Sequence, residues 1–218
     1  MRETSMRLHF SRNPNPRLAV AVARHLGAPV TFEFAAPFAP GQAERYRPLN
    51  PCLRIPILEE ADGSSLYEAD AIACRLSQET GSEFWRTGRE LPDMIRWVSW
   101  ARDHFMRACD VVHFERGTRQ RYGMGPADEA KVAEGLAAFH ESAAILDAHF
   151  ARRDWLLVSG LSYADFRMAA FLPFNDAARL PLHEYRNVAA WHDRLQALPA
   201  WADPFDGLTA PALPPVQR

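Results

Sequence analysis

The sequence predicts an α/β amino-terminal domain joined to an all-helical carboxy-terminal domain. Three observations predict it. The first eighty residues read β-α-β, then a short helix, a hairpin and a helix. A polar stretch with two glycines, Gly81 and Gly88, follows. Beyond it apolar residues recur at three-to-four spacing and strand patterns disappear. The expected boundaries are a first domain over 6–80, a linker over 81–91, a helical domain over 92–208 and a mobile tail over 209–218. A chain of 218 residues with 48% hydrophobic content can bury the cores this requires.

In the first half, Arg7 to Phe10 alternates as a strand does. Ser11 to Pro16 is a loop, because Asn13 and Asn15 each precede a proline, which disfavours helical backbone. Pro16 suits a first helical position with Asn15 as its cap, and Gly27 ends the helix. Val30 to Phe34 is a second strand, parallel to the first across the helical crossover. After an irregular segment with a short helix near 42–46, Ile55 to Glu59 is a third strand. Asp62-Gly63 turns the chain into a fourth, Ser64 to Tyr67. Asp70 to Gln78 is helical. Pro56 marks a sheet edge or bend, since it donates nothing to a ladder. The acidic turn at Glu68 opens a helix whose first N–H groups are free and whose dipole favours anions. Together they are the parts of a peptide-binding edge.

In the second half, Pro92 to about Phe114 reads as one long helix and 117–125 as a loop. A second long helix runs from about 126 to Phe150, a third opens at Ser162, and a fourth covers 187–198. Charge is nearly balanced, 25 basic against 27 acidic residues for a net −2, which gives no footprint for nucleic acid or anionic membrane. No apolar run reaches membrane-spanning length, and the first six residues lack the apolar core of a leader. Three scattered cysteines, Cys52, Cys74 and Cys109, favour a reducing compartment, hence the cytoplasm. The histidines form no metal-ligand spacing, and no metal is expected.

Three motifs then resemble those of cytosolic glutathione transferases of bacterial type, with no class assigned. Asn50-Pro51-Cys52-Leu53-Arg54-Ile55-Pro56-Ile57-Leu58 resembles the family's loop with its cis proline. Glu68-Ala69-Asp70-Ala71-Ile72 resembles its Glu-Ser-x-Ala-Ile turn, and Gly160-Leu161-Ser162-Tyr163-Ala164-Asp165 its helical capping box. The likeness spans about residues 6–208. It implies a thioredoxin-like first domain, glutathione as co-substrate, a small electrophile as second substrate and a homodimer.

The resemblance also implies roles. Glutathione must react as thiolate, and a free thiol with a pKa near ~8.5 is little ionised at neutral pH. A donor in the loop after the first strand would stabilise it. Ser11 and Asn13 are equal candidates, and Asn15 reads as a cap or as a further amide donor. Arg54, Ile55 and Pro56 would meet the cysteinyl and glycyl parts, with strand-like pairing at Ile55. Glu68 and Ala69 would meet the γ-glutamyl end. Arg102 and Met106 could line an electrophile pocket. Two residues depart from the pattern. Ala69 lacks the family's hydroxyl, a loss of about 1.5–3 kcal/mol for one charge-assisted hydrogen bond, and Leu53 replaces a glycine. The expected activity is conjugation of the thiolate to small electrophiles. The alternatives are a non-catalytic binding or scaffold protein, and a glutathione-dependent reductase or isomerase.

Overall fold

The computed structural model describes residues 6–216. Residues 1–5, most of the segment read above for a leader, and 217–218 of the expected tail lie outside the described residues. Two compact units make up the described chain: 6–85 with 199–212, and 86–198 with 213–216.

The first unit is an α/β sandwich. In chain order it holds β1 (Met6–Phe10), α1 (Pro14–Leu26), β2 (Val30–Phe34), α2 (Ala43–Tyr46), β3 (Ile57–Glu59), β4 (Ser65–Tyr67) and α3 (Ala69–Glu79). The sheet order is β2-β1-β3-β4, with β1 and β2 parallel and the other pairs antiparallel. Strand alternation separates two cores. Met6, Leu8 and Phe10 pack with Ala19, Val20 and Ala23 of α1 and Ile72 and Leu76 of α3. On the other face Ile57 packs with Ala35 and Tyr46, and the buried His9 ring meets Tyr46 edge-on at 5.7 Å. His9 Nε2 lies 3.0 Å from Glu59 Oε2 on the neighbouring strand.

Three expectations are corrected in this unit. Helix α1 opens at Pro14, with Asn13 and not Asn15 at the N-cap. Both prolines fit in the first turn because the N–H groups they lack would have no intrahelical partner there. Strand β3 begins at Ile57, so Ile55 and Pro56 lie outside the ladder. The segment expected to close the helical domain and then run free is instead bound to this unit. Trp201 O accepts from Arg17 Nη2, Asp206 O from Arg24 Nη2 at 2.6 Å, and Ala210 O from Arg12 Nε at 3.3 Å. Phe205 stacks on Phe10 at 5.8 Å, and Leu208 and Ala210 pack on the same core. Burial pulls the Arg17 guanidinium down to about 10, with Asp203 opposing, so it stays cationic at neutral pH.

The second unit is helical: α4 (Leu91–Asp103), α5 (Phe105–His113), α6 (Arg119–Arg121), α7 (Glu129–Phe150), α8 (Tyr163–Met168), α9 (Asn175–Ala178) and α10 (Arg186–Gln196). The single helix expected from Pro92 to Phe114 is broken at His104, whose backbone sits at φ −126° and ψ −96°. No proline or glycine marks the break; the His104 ring packs on Trp100 at 5.1 Å. The first part of the loop expected over 117–125 is still helical, through a π-helical turn over Phe114–Thr118 and then α6, and the chain leaves helix only after Arg121. Helix α7 can lie close to α5 because it carries Gly135, where a Cβ would come 2.8 Å from Val112 Cγ2. Among the described residues no helix is long and apolar enough to cross a membrane.

Candidate functional site

Strand register builds the site. His9 pairs with Ile57 across the antiparallel β1–β3 ladder, and Ile57 pairs with Tyr67 across β3–β4. The residues that follow β1, precede β3 and follow β4 therefore meet at one end of the sheet. They are the Ser11–Asn13 loop, Arg54-Ile55-Pro56 and the Glu68-Ala69 turn. So the sheet brings together the sequence-predicted residues Ser11, Asn13, Arg54, Ile55, Pro56, Glu68 and Ala69.

The middle segment is an irregular loop that ends where β3 begins. The Ile55–Pro56 peptide is cis. Ile55 is half-buried and Arg54 exposed. Asn50, buried and given no separate role from the sequence, holds this loop: its Nδ2 donates to Arg54 O at 2.8 Å, and its Oδ1 accepts from Cys52 N at 3.0 Å. An asparagine ahead of a proline is common in loops, so only its burial reveals the role. Leu53 takes φ +55°, the left-handed region that glycine adopts without strain and a leucine does not.

The third segment presents a helix N-terminus. Glu68, at the N-cap of α3, has φ +72° and ψ 125°, and no side chain caps the helix. The N–H groups of Ala69, Asp70 and Ala71 precede the first intrahelical bond, from Ile72 N to Glu68 O at 3.0 Å. They and the helix dipole favour a carboxylate. Ala69 is 3% exposed, and Glu68 is exposed.

The first segment carries the polar groups closest in chain to β1. Ser11 is 6% exposed, and its Oγ accepts two hydrogen bonds from Asn13, from the backbone N–H at 3.3 Å and from Nδ2 at 3.1 Å. The Asn13 side chain thus serves Ser11 and does not cap α1. Asn15 lies exposed in the first turn of α1.

Arg102 and Met106 belong to the helical unit. Arg102 is exposed near the end of α4, whereas Met106 is 8% exposed and contributes to that unit's interior. The Ser162–Asp165 pair forms the capping box. Asp165 Oδ2 accepts from Ser162 N at 3.0 Å, and Oδ1 from Leu156 N at 3.0 Å and Trp191 Nε1 at 3.1 Å. Burial pushes this carboxyl up to about 6 against the pull of those bonds. All three cysteines are free. Burial raises the thiols of Cys74 and Cys109, making them poorer nucleophiles. Among the described residues no group of three or more His, Cys, Asp or Glu could hold a metal.

The chain carrying this geometry is similar to known proteins. The chain is 30% identical over 203 residues to the glutathione S-transferase stcT of Emericella nidulans, covering 89% of each. The chain belongs to the glutathione S-transferase family. Residues 129–194 match the family of glutathione S-transferase C-terminal domains. Solved structures share the fold. Glutathione S-transferase I from mais, in complex with an atrazine glutathione conjugate, superposes with a TM-score of 0.83 at 19% identity, over 92% of this chain and 96% of that one. A Pseudomonas fluorescens glutathione transferase family member with two glutathione bound gives 0.78 at 16% identity, over 94% and 93%. The relative from Emericella nidulans is fungal, so the bacterial-type branch expected from the motifs does not follow from it.

Proposed function

We propose that this glutathione S-transferase family member binds glutathione at the sheet end and conjugates its thiolate to a small electrophile. One observation carries the reading: the register-fixed meeting of the Ile55–Pro56 edge with the N-terminus of α3. A tripeptide with a carboxylate at each end fits such a pair. The cysteinyl backbone adds to the edge at Ile55, the γ-glutamyl carboxylate meets the N–H groups at Ala69, and the exposed guanidinium of Arg54 meets the glycyl carboxylate. This leaves the thiol on the side of the Ser11–Asn13 loop, where a donated hydrogen bond stabilises the thiolate for attack. In the reaction a sulfur–carbon bond forms and the electrophile's leaving group departs with the bonding pair. A cytoplasmic homodimer fits the composition and the family.

Turnover with a chlorodinitrobenzene-type electrophile tests the reading. Product formation proportional to enzyme, and abolished by omitting glutathione, is the expected result. Ala69 favours a second reading, glutathione binding without conjugation, because it removes a hydroxyl from the carboxylate end. Binding with no product from any of a panel of electrophiles would select that reading, and reduction of a mixed disulfide by glutathione would select a reductase.

A further inference from the structure

The hydrogen bonds around Ser11 run in one direction. Its oxygen receives the Asn13 backbone N–H and the Asn13 amide at 3.3 and 3.1 Å. A serine hydroxyl has two acceptor positions and one proton. Both acceptor positions are filled by one neighbour, and the hydroxyl is nearly buried at 6% exposure. Its proton finds no acceptor among the described residues. A hydroxyl in this state can act only as a donor, and accepting two hydrogen bonds polarises it towards donating more strongly. Asn13 is itself fixed: its carbonyl starts α1 by accepting from Arg17 N at 2.9 Å. Between the two, Arg12 is held by Ala210 O at 3.3 Å and lies over the Phe205 ring at 4.7 Å. The loop therefore has little freedom to turn Ser11 another way.

We infer that Asn13 is a positioning residue, one that fills the acceptor positions of Ser11 so that its hydroxyl can only donate to the glutathione sulfur. The inference rests on the glutathione reading above and assigns different roles to two residues that the sequence left equal. Ser11 touches the sulfur; Asn13 acts through Ser11. Asn13→Asp is the telling variant. It keeps the shape but replaces a donor with an acceptor, so the Ser11 proton turns inward to the new carboxylate and away from the sulfur. Asn13→Ala removes one of the two donors and leaves the proton free.

The test is the pKa of the glutathione thiol in the complex, followed by the ultraviolet absorbance of the thiolate against pH, with glutathione affinity measured in parallel by calorimetry. A merely structural role would not move this pKa. The expected order of thiol pKa is wild type lowest, then Asn13→Ala, with Ser11→Ala and Asn13→Asp highest and about one unit or more above wild type. The Ser11→Ala/Asn13→Ala double variant should match Ser11→Ala, because Asn13 acts only through Ser11. Additive effects in the double variant, or a thiol pKa unchanged by Ser11→Ala, would overturn the inference while leaving glutathione binding intact. Absence of glutathione binding in the wild-type protein would instead overturn the reading on which it rests, and the inference with it.

Discussion

The sheet end of the first unit and the buried turn around Asp165 in the second are built on opposite rules. At Asp165 every partner is supplied from within the chain: backbone N–H groups of Leu156 and Ser162 and the indole of Trp191 converge on one buried carboxylate. At the sheet end the backbone is arranged differently. Ile55 precedes the ladder, the first N–H groups of α3 have no cap, and two non-glycine residues, Leu53 and Glu68, sit at positive φ. Backbone held in that region costs on the order of 1–3 kcal/mol per residue. The difference is between a turn closed on its own buried carboxylate and a sheet end built of uncapped helix start and strained loop, where the proposed ligand is placed.

The sharpest way to break the comparison is Asp165→Ala. It strands three buried donors, so the stability of the helical unit should fall by about 3–5 kcal/mol in a denaturant titration. A loss below about 1 kcal/mol would show that the turn is not a satisfied structural centre.

The next effect is on pH. His113 is buried between Phe171 and Phe174, and its Nε2 accepts from Arg121 Nη1 at 3.3 Å. Burial and the nearby guanidinium lower its pKa to about 4. The unfolded chain then binds a proton that the folded chain does not, so this group's stabilisation is present above about 6.5 and is lost as pH falls towards 4. Asp165 acts in reverse: its raised pKa means stability from its proton is lost as pH rises through about 6. The two slopes oppose, so the check is the difference between wild type and His113→Phe. The wild type should gain on the variant by an amount on the order of 3 kcal/mol between pH 4 and 6.5. A flat difference would contradict the burial argument.

Smaller effects sharpen the open side. Ala69→Ser restores a hydroxyl at the first residue of α3 and should tighten glutathione binding by about tenfold in calorimetry. Glu68→Gly relaxes the backbone at φ +72° and should raise thermal stability by about 1 kcal/mol while weakening glutathione binding. A variant both less stable and tighter-binding would reverse the assignment of strain to function.

Much of this contrast can be read from the sequence, for physical reasons. The four strands show because alternation and β-branched runs are local signals. The Ser162–Asp165 box shows because its two residues lie three apart. The Ile55–Pro56 edge and the Glu68 turn show through their motifs. What escapes depends on long-range contact. The C-terminal segment belongs to the first unit because Arg12, Arg17 and Arg24 bind its carbonyls, and no spacing encodes that. The start of α1 escapes because two prolines in one turn read as a loop, although their missing N–H groups fall where none are needed. The break at His104 has no glycine or proline to announce it. The Asn13-to-Ser11 direction, which separates two equal candidates, lies in the hydrogen bonds alone.

The central claim is that the open sheet end is open for glutathione. Titration calorimetry of the full chain with glutathione, repeated with Arg54→Ala, tests it most directly. Saturable one-site binding at or below millimolar glutathione, weakened several-fold by the substitution, is the expected result. No heat of binding at millimolar glutathione, from protein shown to be folded, would contradict it.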